Sequence, residues 1–293
     1  MLSGSVVREF TFDSMHAVEA AAIAPRAPAD ELRTVVVGGF PTAVVTRAQL
    51  ASRMFDDCIQ ARALGSEWLP RLVFSSNAQG IALAGKDKQF ARTMSQADII
   101  HADGMPVVMA SRFTRTPLPE RICTTDFFVD AAAAADASGL RFFMLGGTEA
   151  QNQAVVQTIH RDHPQLAVVG RHHGYFGRER DEEICGLIRA SGADVLWVAM
   201  GKPLQEEWSV RNRANLSGVG WVKTCGGLYS FLTGEAPRAP RWMQRLGLEW
   251  VHRGVREPRR LGMRYLVTNP YAVVRLVTQT RWAGRSDVTR TDR

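Results

Sequence analysis

No stretch of this chain stays apolar for the roughly 18–20 residues that a membrane-spanning helix needs. The N-terminus also lacks a signal-peptide core, because the alanines around Ala20 are interrupted by Glu19, Pro25 and Pro28. Cysteine is sparse. Cys58, Cys123, Cys185 and Cys225 lie far apart and form no C-x-x-C pair, a pattern of reduced cytoplasmic thiols rather than a disulfide framework. There is no G-x-x-x-x-G-K-[ST] phosphate loop, no G-x-G-x-x-G dinucleotide fingerprint and no G-x-S-x-G elbow. No Asp-x-Asp pair occurs, which argues against a site holding Mg²⁺ or Mn²⁺ through one. His172-His173 has no cysteine or carboxylate at ligand spacing, so no metal site is expected. Internal repeats are absent.

The chain's 293 residues suffice for one large or two small domains with a real core. Its charge is unevenly placed. From Arg238 to Arg293 there are 13 arginines, no lysine and 4 acids, a charge of +9, which leaves the first 237 residues at −2 against a total of +7. A nearly neutral body with a strongly basic tail points to a polyanionic partner for the tail: membrane surface, phosphates or nucleic acid. A solvated charged face is the plain alternative. Against it, Trp242, Trp250 and Tyr265 are interleaved with the arginines, and arginine is the better residue for bidentate phosphate contact.

The organising stretch is Val73 to Pro106. A short apolar run ends in Ser75-Ser76-Asn77, about twenty helical residues follow, and a second apolar run ends in Ala102-Asp103-Gly104-x-Pro106. Before it, residues 1–33 read as a mobile leader. Val35–Val37 and Ala43–Val45 read as two strands about a turn, and Thr46 as the cap of a helix through Leu64. After it, Arg112 to Asp126 reads as a loop and Phe127 to Ala137 as a helix. Strands then end at Gly146-Gly147, near Val169, at Met200 and at Gly226-Gly227, with helices between them. This alternation predicts an α/β fold: a Rossmann-like, mostly parallel sheet with helices on both faces. The boundaries expected are a leader (1–33), a catalytic core (34–233), a basic helical appendage (234–280) and a disordered tail (281–293). Within the appendage, helix breaks are expected near Pro258 and Pro270.

In open α/β sheets the ligand crevice lies beyond the strands' carboxyl ends. Asn77 and Asp103 both fall there, where an amide and a carboxylate can position and deprotonate a hydroxyl. Equally, Asn77 can be a helix cap and Asp103 a turn residue. Gly201-Lys202-Pro203 can be an ordinary helix start.

Taken in order, Ser75-Ser76-Asn77, Ala102-Asp103-Gly104-x-Pro106, Arg121-x-x-x-Thr125-Asp126, Gly146-Gly147, Gly201-x-Pro203-x-Gln205-Glu206, Gly226-Gly227 and Arg238-Ala239-Pro240 closing on Leu248-Glu249-Trp250 resemble the WecG/TagA/CpsF family of bacterial glycosyltransferases, over about residues 35 to 265. The resemblance implies an inverting, metal-independent enzyme with no cofactor. It would move a sugar from a UDP-sugar donor to a polyprenyl-diphosphate-linked sugar acceptor, peripherally at the cytoplasmic face of the membrane. By position, Asp103 matches the general base, Asn77 a positioning amide, Gln205 a donor-binding amide and Arg121 a basic pocket residue. Ser75, Thr125, Asp126, Gly146, Gly147, Gly201, Pro203, Gly226 and Gly227 fall with the substrate-binding set, while Arg253, Arg256 and Arg260 match residues that neutralise diphosphate and meet the anionic membrane. Ser75 stands where a threonine is common and keeps the hydroxyl. The donor is read as UDP-glucose, for β-1,4 transfer in exopolysaccharide assembly, with N-acetylmannosamine or its uronate as the alternative. A homo-oligomer is compatible with the resemblance.

Two rivals remain at this stage: a non-catalytic nucleotide or polyanion sensor, and a nucleic-acid binder using the tail. No nucleic-acid partner is expected, since the body is neutral and no recognition motif is present.

Overall fold

The chain enters through a hairpin, β1 (Thr34–Val37) and β2 (Phe40–Ala43), paired antiparallel about Gly38-Gly39. Thr46 then caps α1 (Arg47–Leu64). Its side chain accepts from Gln49 N at 3.2 Å, and Gln49 Oε1 accepts from Thr46 N at 2.8 Å, a reciprocal capping box. The computed structural model describes residues 32–246, 248–256, 258 and 262–281, with the backbone alone for Arg241, Arg245, Arg253, Met263 and Arg264. The expected leader up to residue 31, the expected tail beyond residue 281, and Arg260 lie outside the described residues.

Six further strands form one parallel sheet: β3 (Arg71–Ser76), β4 (Ile99–Ala102), β5 (Arg141–Gly146), β6 (Ala167–His172), β7 (Val195–Ala199) and β8 (Trp221–Thr224). Their order is β4-β3-β8-β7-β5-β6. Alternation along each strand builds two cores. Leu72, Phe74, Leu196, Val198 and Val222 point to one face, where Ile81, Phe90, Ile184 and Trp208 cover them. Val73, Val195, Trp197 and Trp221 point to the other, under Leu50, Met54, Phe127 and Phe128. Both faces are buried, so these strands read as continuous apolar runs rather than strict alternation. The expected α/β sheet with helices on both faces is what forms.

Local details differ from the sequence reading. The helical stretch after Asn77 is two helices, α2 (Ala78–Lys86) and α3 (Lys88–Met94), because Asp87 caps the second through Gln89 N and Phe90 N. A short α4 (Met105–Ser111) follows Gly104. Then α5 (Thr124–Ser138) starts three residues before the expected Phe127, which moves Thr124, Thr125 and Asp126 from a loop into a first helical turn. Next come α6 (Glu149–Asp162), α7 (Asp181–Ala190), α8 (Leu204–Arg211) and α9 (Leu228–Leu232).

Among the described residues, the C-terminal segment includes the helices α10 (Arg241–Arg245), α11 (Glu249–Arg256) and α12 (Met263–Thr278). The break expected at Pro270 does not occur, and α12 runs through it. A mid-helix proline removes one intrahelical bond, but α12 is held from outside. Ala272 and Leu276 are buried in the core, and Tyr271 Oη donates to Gly85 O of α2 at 3.1 Å. Past α12 the chain closes on the hairpin: Gly39 N donates to Gln279 O at 2.9 Å, Gly38 N to Thr280 Oγ1 at 3.1 Å, and Arg281 N to Val36 O at 3.1 Å. Among the described residues, no helix is long and apolar enough to cross a membrane.

Candidate active site

Beyond the carboxyl ends of the central strands lies a cleft of about 550 Å³. The loop after β4 is pinned to the end of β3, since Asp103 N and Gly104 N both donate to Ser76 O, at 2.9 and 3.2 Å. This brings Asp103 against Asn77, whose Nδ2 donates to Asp103 Oδ2 at 3.2 Å. Asp103 Oδ1 accepts from Thr124 N at 3.1 Å. α5 has no side-chain cap of its own, so Asp103 satisfies one of its orphan N–H groups from the loop after β4. Asn77 meanwhile caps α2, its Oδ1 accepting from Gly80 N at 3.0 Å. The two readings of this pair are therefore not exclusive. The groups that cap and turn the chain are also the polar pair that lines the cleft.

Gln205 joins two glycine loops. Its Oε1 accepts from Gly201 N at 3.1 Å and from Gly226 N at 3.0 Å, while Nε2 donates to Glu206 Oε1 at 2.8 Å. Lys202 lies beside it, with Nζ 2.6 Å from Glu206 Oε1 and 3.1 Å from Ser75 O. Arg121 lines the opposite wall, and its Nη2 donates to Glu249 Oε2 at 2.6 Å. Burial opposes the Arg121 charge, but Cys123, Asp103 and Glu249 together outweigh it, and its pKa is raised.

Beneath the cleft, register sets His101 beside Ser75, and Lys223 beside Val73 and Trp197. Burial, with Lys223 second, pushes the His101 pKa well below the ordinary value. Lys223 is fully buried, donates to Thr224 O at 2.6 Å, and is pushed by burial down to about 8.

Of the sequence-derived residues, the fold brings Ser75, Asn77, Asp103, Arg121, Thr125, Gly201, Gln205, Gly226 and Gly227 to the cleft. Asp126, Gly146, Gly147 and Pro203 do not line it. Asp126 pairs instead with Arg238, which also donates to Gln244 Oε1 at 2.9 Å, and so ties the C-terminal segment to α5. Gly146 has φ 130°, and a Cβ there would overlap the backbone of Ala199, so its role is close packing of β5 on β7. Gly147 N donates to Ala199 O at 3.0 Å. Pro203 is the residue from which α8 starts. Arg256 is exposed and off the cleft, and the Arg253 side chain is not described. Among the described residues no three His, Cys, Asp or Glu groups converge as metal ligands. His172 and His173 bond to local backbone.

The C-terminal segment supplies cleft residues that sequence reasoning did not place there: Glu249, Asn269 and Val273, with Trp250 and Tyr265, which it had read only as aromatics of the basic tail. Trp250 meets Tyr265 edge-on, with ring centroids 6.0 Å apart. Leu248-Glu249-Trp250 stood out as a motif, but nothing local shows that it crosses to Arg121. Lys202 was also missed, although it lies within the glycine–proline motif.

The chain has matches among known proteins. The model of the glycosyl transferase WecG/TagA/CpsF family covers residues 35–286. The chain is 32% identical over 212 residues, 72% of its length and 77% of the relative's, to an N-acetylglucosaminyldiphosphoundecaprenol N-acetyl-beta-D-mannosaminyltransferase of Bacillus subtilis (strain 168). It is 30% identical over 177 residues, 60% of its length and 68% of the relative's, to a protein of the same description from Bacillus spizizenii.

Proposed function

The chain belongs to the WecG/TagA/CpsF family of glycosyl transferases, and we propose that it transfers N-acetylmannosamine from a UDP-linked donor to an N-acetylglucosaminyl-diphosphate-polyprenol acceptor. Both relatives above are named for mannosaminyl transfer to such an acceptor. That supports the alternative donor over the UDP-glucose and exopolysaccharide reading expected from sequence, which neither relative's name supports.

The observation that carries the reading is Asp103, oriented from two sides by Asn77 and the α5 N-terminus at the floor of the cleft. In the proposed step the acceptor hydroxyl oxygen attacks the anomeric carbon and the carbon–oxygen bond to UDP breaks. The electron pair leaves on the diphosphate, and the hydroxyl proton passes to Asp103. One displacement inverts the anomeric centre. Charge developing on UDP meets Arg121 and Lys202 in the cleft wall.

The lipid acceptor stays in a bilayer, so the enzyme has to reach it. α12 is apolar on two sides: Ala272 and Leu276 face the core, while Leu266, Val267, Val273, Val274 and Val277 are exposed. Val273 also lines the cleft, which joins the outer apolar stripe to the site. Peripheral seating of this stripe at an anionic membrane follows, with arginines of the segment on the lipid phosphates.

The test is incubation of the full chain with a synthetic N-acetylglucosaminyl-diphosphate lipid and UDP-N-acetylmannosamine, UDP-N-acetylglucosamine or UDP-glucose in turn, with excess EDTA present. Transfer from UDP-N-acetylmannosamine above the others supports the reading. Transfer from UDP-glucose alone restores the earlier one, and activity lost to EDTA and rescued by Mg²⁺ overturns the metal-independent step.

A further inference from the structure

Arg121 and Glu249 lie 128 residues apart in sequence, yet Nη2 and Oε2 are 2.6 Å apart, with the two side chains only 13% and 15% exposed. Arg121 sits in the loop that leads into α5, and Glu249 is the first residue of α11. Both line the cleft. Asp103 acts on the Arg121 charge as well, so the guanidinium lies in the field of two carboxylates.

A guanidinium carries five N–H donors in a rigid fork. Glu249 engages one end of that fork. The Arg121 Nε is buried with no hydrogen-bond partner among the described residues. A buried donor without a partner is costly, and the guanidinium that carries it lines the cleft, with Nη2 alone engaged by Glu249. The second ion pair from the C-terminal segment, Arg238 with Asp126, serves as a plain clasp because neither residue lines the cleft. The Glu249 pair differs in that its cation belongs to the site.

We propose that Glu249 is a positioning residue, a carboxylate supplied by the C-terminal segment that holds the Arg121 fork with its free edge toward the diphosphate of the nucleotide-sugar. This rests on the nucleotide-donor reading above. An arginine held in advance binds phosphate without first losing its side-chain freedom. The anion subsite is then complete only with α11 docked, and Glu249, although like-charged with the donor, strengthens its binding.

The test is titration calorimetry of UDP against the full chain, with a thermal melt of each variant. Glu249→Gln keeps the shape and removes the charge. The expected result is UDP affinity about 10–100-fold weaker, the range for losing a charge-assisted hydrogen bond, with a melt close to that of the unaltered chain. In turnover, the donor KM rises more than kcat falls. Arg121→Lys keeps the pair's charges but loses the fork, and it shows the same loss even if Glu249→Gln folds poorly. The charge-reversed double variant Arg121→Glu with Glu249→Arg keeps the melt but loses UDP binding. Unchanged UDP affinity in Glu249→Gln or Arg121→Lys, or UDP binding kept by the double reversal, overturns the proposal. Failure of the unaltered chain to bind UDP overturns the donor reading itself.

Discussion

One side chain, Asn77, holds Asp103 and starts a helix at once: its Nδ2 donates to Asp103 Oδ2 at 3.2 Å, and its Oδ1 caps α2 through Gly80 N at 3.0 Å. The two jobs separate by substitution. Asn77→Asp keeps the cap oxygen and places a second carboxylate against Asp103, so turnover falls while the melt stays near that of the unaltered chain. Asp103→Asn keeps the shape and removes the base, so turnover falls about 10²–10⁴-fold with the fold intact. Product formation on a lipid-diphosphate acceptor, read beside a thermal melt, checks both. Near-normal turnover in Asp103→Asn removes it from the role of base.

Gly146 separates a structural glycine from a binding one. With φ 130° and no room for a Cβ beside Ala199, Gly146→Ala is expected to destabilise the chain by about 3 kcal/mol or more. Denaturant unfolding measures this. A variant of full stability with weakened UDP binding shows instead that the glycine acts on the ligand.

The strand ends were readable because apolar runs there stop on small polar residues, as in Ser75-Ser76-Asn77 and Ala102-Asp103-Gly104. Two parallel neighbours ending this way must share one rim. Beyond that rim the sequence runs out for a physical reason. Gly146-Gly147 falls by resemblance with the substrate-binding set, and only the proximity of Ala199 shows the backbone packing that Gly146 serves. Pro270 obeys a local rule that the packing of Tyr271, Ala272 and Leu276 overrides. Glu249 has no local sign of its role, since its meaning lies in a partner on another element.

Lys223 makes a pH signature. At neutral pH it is protonated whether the chain is folded or not, and the folded state bears the full burial penalty. Between about 8, its folded value, and the ordinary 10.5, the folded chain gives up the proton before the unfolded one, so stability rises with pH. The buried thiols of Cys58, Cys185 and Cys225 work the other way once pH passes the ordinary thiol value of 9.0, because burial raises their pKa. The lysine therefore shows cleanly between pH 8 and 9. Relative to Lys223→Met, the unaltered chain gains about 1 kcal/mol over that unit, and the variant is at least as stable at pH 7. Urea midpoints for both chains across the window give the answer, and parallel profiles remove the lysine as the cause.

The C-terminal segment does not behave as a detachable anchor. Deleting α12 uncovers α2 and the hairpin, so a truncated body loses stability rather than merely leaving the membrane. A gentler change is Leu266→Gln with Val267→Gln and Val274→Gln, all exposed positions outside the cleft lining. The expected result is loss of binding to anionic vesicles, with an unchanged melt and an unchanged rate on a short soluble acceptor. Vesicle flotation and the soluble assay read the two halves, and retained flotation excludes the stripe as the membrane contact.

The bonds from Gly38, Gly39 and Val36 to residues 279–281 also set an order of events during synthesis. The hairpin emerges from the ribosome long before its last partners exist, and its outer edge waits with unpaired backbone groups until residues 279–281 have been made. Contacts of such separation, 242 residues for Gly38 and Thr280, form late and slowly. A nascent chain in that interval carries an open strand edge and an uncovered α2 face, the combination that invites aggregation or a chaperone. Fusions or stalls that detain the C-terminus on the ribosome should hold the whole enzyme in this unfinished form.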